Sequence, residues 1–194
     1  MSLRVESLRE FARDRGKIES LILQSDPLNL RSVEFDSGHA DIGYAYLTTI
    51  SPPFSEDIGK NFFLVWYWKT SFVEEWWTVT SEALPDGHVE FIQKEFLCFL
   101  DEIEPAPMEN DYLRSLLRDE VDKLQFEKND GVKQERDGFL TFGWKRTVLP
   151  AQHYIRILDV PLDNSWQLKD QWNSRVYLFQ TSKSVGMFSW CLSA

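Results

Sequence analysis

Asn61-Phe62-Phe63-Leu64-Val65-Trp66-Tyr67-Trp68-Lys69-Thr70 is the stretch on which the reading of this sequence turns. Read as a strand, it points aromatic side chains to both faces. That is the mark of a central strand covered on each side. Residues 72–80 then read as its partner strand, led by Trp77-Thr78-Val79-Thr80, across a tight Thr70-Ser71 turn.

Upstream, the spacing of Val5, Leu8, Phe11 and Ala12, continued by Ile18, Leu21 and Ile22, predicts a helix over 4–24. Gly16 bends or splits it, and Asp26-Pro27 ends it. Residues 32–36 and 42–50 read as strands around an Asp36-Ser37-Gly38 turn, closed by Ser51-Pro52-Pro53, with loop to Gly59. Downstream of the aromatic stretch, Val89, Ile92, Phe96, Phe99 and Ile103 form the apolar seam of a helix over 87–103. Glu104-Pro105-Ala106-Pro107 stops it. Leu113, Leu116, Leu117, Val121 and Leu124 predict a second helix over 111–127, with Asn129-Asp130-Gly131 as its stop. Residues 138–148 and 152–160 read as strands, 161–173 as loop or short helix, and 175–181 with 185–192 as a final hairpin.

The expected fold is therefore α+β: one domain over 1–194, a mostly antiparallel sheet of about eight strands, an N-terminal helix and two central helices. The alternation of strand and helix that a doubly wound parallel sheet needs is missing.

The chain has 194 residues, of which 14% are aromatic, enough to exclude disorder. The sequence shows no stretch approaching the ~20 apolar residues of a membrane span, so no membrane partner is expected. The ends read as neither a secretory signal nor a lipidation box. Two cysteines, Cys98 and Cys191, make no disulfide framework and suggest a reducing cytoplasm, although their pairing stays open at this point. A net charge of −10 argues against nucleic acid as a partner.

Charge is unevenly spread. Residues 71–110 hold ten acids against one base, Lys94, and so carry −9 of the −10. Such a region is either a solvated face or a dock for a basic protein. The partner-binding candidates are Glu74, Glu75, Trp77, Glu90, Asp101 and Glu102, within an acidic region at 74–104.

The chemistry-bearing motifs are absent. His39, His88 and His153 are the only histidines. His88-x-Glu90 lacks the Pro-Cys-x-x-Cys half of a zinc-deaminase box, and no cluster has zinc spacing. Pro85-Asp86 with Glu90 begins a nuclease-like box, but Ile92 occupies its Lys position. No nucleophile elbow or phosphate loop is present. The reading expects no catalytic residue, no metal and no cofactor, and leans away from an enzyme.

The expected function is an acidic protein-interaction module: an inhibitor, immunity protein, chaperone or adaptor. In composition the chain is similar to small acidic proteins that neutralise basic nuclease toxins, a similarity of charge alone. The alternatives are a small-molecule binding domain whose cavity is lined by Phe63, Trp66, Trp68, Trp144 and Trp190, or an enzyme with an unrecognised site.

Overall fold

The computed structural model of the chain describes residues 3–25, 29–36, 44–71, 77–79, 87–121, 125–136, 139–148 and 161–191. In order these form α1 (Val5–Arg13), α2 (Arg15–Gln24), β1 (Leu30–Asp36), β2 (Tyr44–Ile50), α3 (Ile58–Ser71), β3 (Trp77–Val79), α4 (His88–Asp101), β4 (Ala106–Pro107), α5 (Asn110–Val121), β5 (Gln125–Arg136), β6 (Phe139–Val148), β7 (Leu162–Gln171), β8 (Ser174–Thr181) and β9 (Val185–Cys191). The strands join one antiparallel sheet in the order β3-β6-β5-β1-β2-β9-β8-β7-β4. Its body is the run of five from β1 to β7, extended by β5, β6 and β3 on one side and by the short β4 on the other.

The fold is α+β, but the expected arrangement within that class is overturned. Among the described residues there are five helices rather than an N-terminal helix and two central ones, and the strand count of about eight also fails. The largest correction concerns residues 61–70, which lie inside helix α3 and not in a strand. Every side chain from Asn61 to Trp68 is buried, so the helix has no polar face and shows no amphipathic period. A continuous apolar run does not distinguish a buried strand from a buried helix by period alone. The start signal lies just upstream. The Asp57 carboxylate accepts the Gly59 N–H at 2.9 Å, and the Asp57 carbonyl accepts the Asn61 N–H at 3.3 Å. Asp57 thereby fills the N-terminal capping role that acids favour.

The expected helix over 4–24 breaks at Asp14, two residues before Gly16. Asp14 adopts an extended backbone and its side chain accepts the Lys17 N–H at 3.1 Å, ending α1 and capping α2. That bond to the Lys17 backbone holds the Asp14 carboxyl below its ordinary value.

The second central helix ends at Val121, and the chain runs as strand β5 through Asn129-Asp130-Gly131, where a stop was expected. Residues 162–171 form strand β7 where loop or short helix was expected. Two register shifts against β8, at Leu162/Asn164 and Gln167/Lys169, break its alternation and hide the strand from a period-two reading. Of the partner strand expected over 72–80, the described residues Trp77–Val79 form β3, which pairs with β6 rather than with residues 61–70. The strand expected over 152–160 lies outside the described residues. The helix over 87–103 corresponds to α4, with Val89, Ile92, Phe96 and Leu100 buried. The residue before α4, Gly87, has φ 76°, a conformation that favours glycine.

Helix α3 lies on β2 and β9, while α1 and α2 brace α4 on the outside of this layer. Val185 and Met187 of β9 and Val176 and Leu178 of β8 join the aromatic side chains of α3 and α4 in one core. Alternate residues of the same strands, Tyr177, Phe179 and Phe188, are buried as well. The sheet is thus covered on both faces. On that second face a Cβ at Gly186 would overlap the Phe179 ring, so close packing requires glycine there.

Candidate functional site

The structure separates the sequence-derived candidates. Glu74 and Glu75 lie outside the described residues. Trp77 begins β3, opposite Phe142. Glu90, Asp101 and Glu102 are all exposed, and each has a basic partner from another part of the chain. Glu90 pairs with Arg15 of α2. Asp101 pairs with Arg9 of α1 at 2.8 Å, and Glu102 with Lys169 of β7 at 2.7 Å. Arg9 also reaches the Leu100 carbonyl at 3.4 Å, and Gln93 donates to the Ala12 carbonyl at 2.8 Å. Glu90, Asp101 and Glu102 therefore fasten α4 and its end to their neighbours. Such exposed pairs contribute about 0.2–1 kcal/mol each.

The motif fragments at the start of α4 also come apart. His88 is buried, and its Nε2 meets the Tyr67 hydroxyl at 3.1 Å. Desolvation lowers its pKa from 6.5 to about 4, so it is neutral in the folded protein near pH 7. Glu90 is exposed and held by Arg15, whereas Asp86, His39 and His153 lie outside the described residues. Among the described residues, no group of three or more His, Cys, Asp and Glu side chains is placed to hold a metal ion.

The buried His88 makes stability depend on pH. Between pH 6.5 and about 4 the unfolded chain binds a proton that folded His88 does not, so stability is complete above this window and falls as pH drops through it. The loss across the window is about 3 kcal/mol, and the upper half precedes general carboxylate protonation. Urea denaturation at stepped pH should show this slope in the parent and a flatter curve in His88→Gln. Parallel curves would remove His88 as its source.

The aromatic side chains divide between core and cavity. Phe63 and Trp66 are buried with Phe96, at ring centroid distances of 5.1 and 4.7 Å. Trp190 lies on the other side of the sheet, with the Arg175 guanidinium 5.4 Å from its ring centroid. Trp144 belongs to β6, and its side chain is outside the described residues. Trp68 lines a cavity. This cavity of about 220 Å³ is bounded by Ile50 at the end of β2, by Leu64 and Trp68 of α3, by Pro52, Pro53 and Phe54 of the connecting loop, and by Ser25 and Asn29. Of the aromatic residues expected to line a cavity, Phe63, Trp66 and Trp190 do not border this one, which opens between the end of α2, the end of β2 and the Leu64–Trp68 part of α3.

One side chain holds the loop wall of this cavity. Asn61, 1% exposed, accepts the Phe54 and Ser55 N–H groups at 2.9 and 3.2 Å through Oδ1. Its Nδ2 donates to the carbonyls of Ser55 and Asp57 at 2.5 and 3.3 Å. The Ser51 N–H adds a bond to the Asn29 carbonyl at 2.8 Å. The sequence signal for this arrangement is a polar Asn opening an apolar run seven residues after the Phe of Pro53-Phe54. The strand reading of residues 61–70 gave it no role. No helix among the described residues is long and apolar enough to cross a membrane. No family model, curated protein or solved structure matches the chain.

Proposed function

We propose that the protein is a small-molecule binding domain whose site is the cavity between Trp68 and the Pro52-Pro53-Phe54 loop. The supporting observation is its lining: six apolar side chains, two of them aromatic, with Ser25 and Asn29 as polar partners. Apolar walls with a few placed polar groups are the usual composition of a ligand site. At about 220 Å³ the cavity is smaller than the roughly 300–1,000 Å³ usual for ligand pockets, which suits a ligand of one or two small rings. A flat ring fits the Trp68 and proline surfaces, and a polar substituent on it reaches Asn29 or Ser25.

Calorimetric titration with indole tests this reading. About nine ring atoms at ~0.5 kcal/mol each give a Kd near the millimolar range. Ser25→Trp, which fills the half-buried rim, should abolish the heat. Undiminished binding in that variant would place the ligand elsewhere.

A second reading, the acidic module for a basic protein partner, has one supporting observation. Glu104 and Glu109 are exposed and have no basic partner among the described residues. On that reading a basic partner is retained at low salt and released by Glu104→Lys with Glu109→Lys. Retention that ignores these reversals removes this surface. Cys98 and Cys191 are exposed thiols that no disulfide joins, which supports a reducing, cytoplasmic setting.

A further inference from the structure

We propose that Cys191 and Lys69 form an acyl-transfer pair, in which the Cys191 thiol accepts an acyl group from a thioester and passes it to the Lys69 amine. The two residues lie at the same end of the α3–sheet interface, and neither lines the Trp68 cavity. Lys69, near the C-terminus of α3, is half-buried, with Nζ 5.6 Å from the centroid of the Tyr46 ring. Tyr46 of β2 stands directly opposite Ser189 of β9. Cys191 follows Ser189 by two residues, so it lies on the same face of the strand, and it is exposed.

Three properties suit this group of side chains to acyl transfer. Cys191 is open to a thioester in solution. Burial pushes the Lys69 ammonium below its ordinary value, an effect the nearby Cys191 sulfur partly offsets, and this favours the uncharged, nucleophilic amine. Lys69 has no carboxylate partner among the described residues. Finally, Ser189 is 7% exposed, and its hydroxyl has no hydrogen-bond partner among the described residues. A buried donor left in this state is costly, and an acyl carbonyl oxygen at this place would satisfy it.

The chemistry balances without an oxidant. Cys191 Sγ attacks the thioester carbonyl, its bond to the carrier sulfur breaks, and the carrier leaves as a thiol with the Cys191 proton. Lys69 Nζ then attacks the acyl-cysteine carbonyl, the C–S bond breaks, and a proton passes from nitrogen to restore the Cys191 thiol. The product is an amide on Lys69.

The test uses the full chain and the acetyl thioester of N-acetylcysteamine, with peptide mapping by mass spectrometry over time. Lys69 should be acetylated about tenfold faster than the exposed Lys60, Lys94 and Lys183, because the second step is intramolecular. Cys191→Ala, a change at an exposed position, should bring Lys69 down to the rate of those lysines and leave theirs unchanged. A Lys69 rate equal to the others in the parent would overturn the proposal. So would a fast Lys69 that is indifferent to Cys191→Ala. Neither result bears on the Trp68 cavity, which indole titration tests separately.

Discussion

Phe96→Ala is expected to cost about 4 kcal/mol of stability. Phe96 is fully buried in α4, with its ring centroid 5.9 Å from Phe62, 5.1 Å from Phe63 and 4.7 Å from Trp66. These three rings come from α3, so the truncation opens a hole where the two helices meet and the surrounding helices cannot close it. For a chain of this size the loss should lower Tm by about 8–16 °C. Phe91→Ala on the exposed side of the same helix is the control, with an expected change within about 0.5 kcal/mol. Similar Tm values for the two variants would mean that α4 does not present Phe96 to α3.

Asn61→Ala is expected to cost about 3 kcal/mol, because the Phe54 and Ser55 N–H groups lose their acceptor inside a part-buried loop. The urea midpoint measures the loss. Amide hydrogen exchange should show faster exchange at Phe54 and Ser55 while protection within α4 persists. The same variant should lose indole binding, since the Asn61 amide holds the loop that carries Pro52, Pro53 and Phe54. A stable variant with unchanged exchange would show that the loop is held by something else.

These two residues also show what the sequence makes legible. Phe96 sits on a helix whose other side is polar, and the spacing of Val89, Ile92 and Phe96 identifies its buried side directly. Asn61 lies near the start of a helix that is buried all round from Asn61 to Trp68. With no solvent side there is no period to read, and aromatic content alone pulls the reading toward strand. The decisive mark there is the cap at Asp57, a local hydrogen bond that a hydrophobic pattern does not register. Strand β7 escaped for a related reason, since its bulges displace the alternation that identifies a strand. The candidate site was less legible still. Its walls come from four separated segments around Ser25, Asn29, Ile50–Phe54 and α3, and none of them carries a motif. The acidic bias was visible in the sequence, but the pairing of Glu90, Asp101 and Glu102 with Arg15, Arg9 and Lys169 depends on how distant elements dock.

The most direct test of the account is a titration of the isotopically labelled protein with indole, followed by amide and side-chain NMR. The account predicts saturable shifts at Ile50, Phe54, Leu64 and Trp68, and their disappearance in Ser25→Trp. Absence of saturable shifts, or shifts centred on residues away from this cavity, would contradict it.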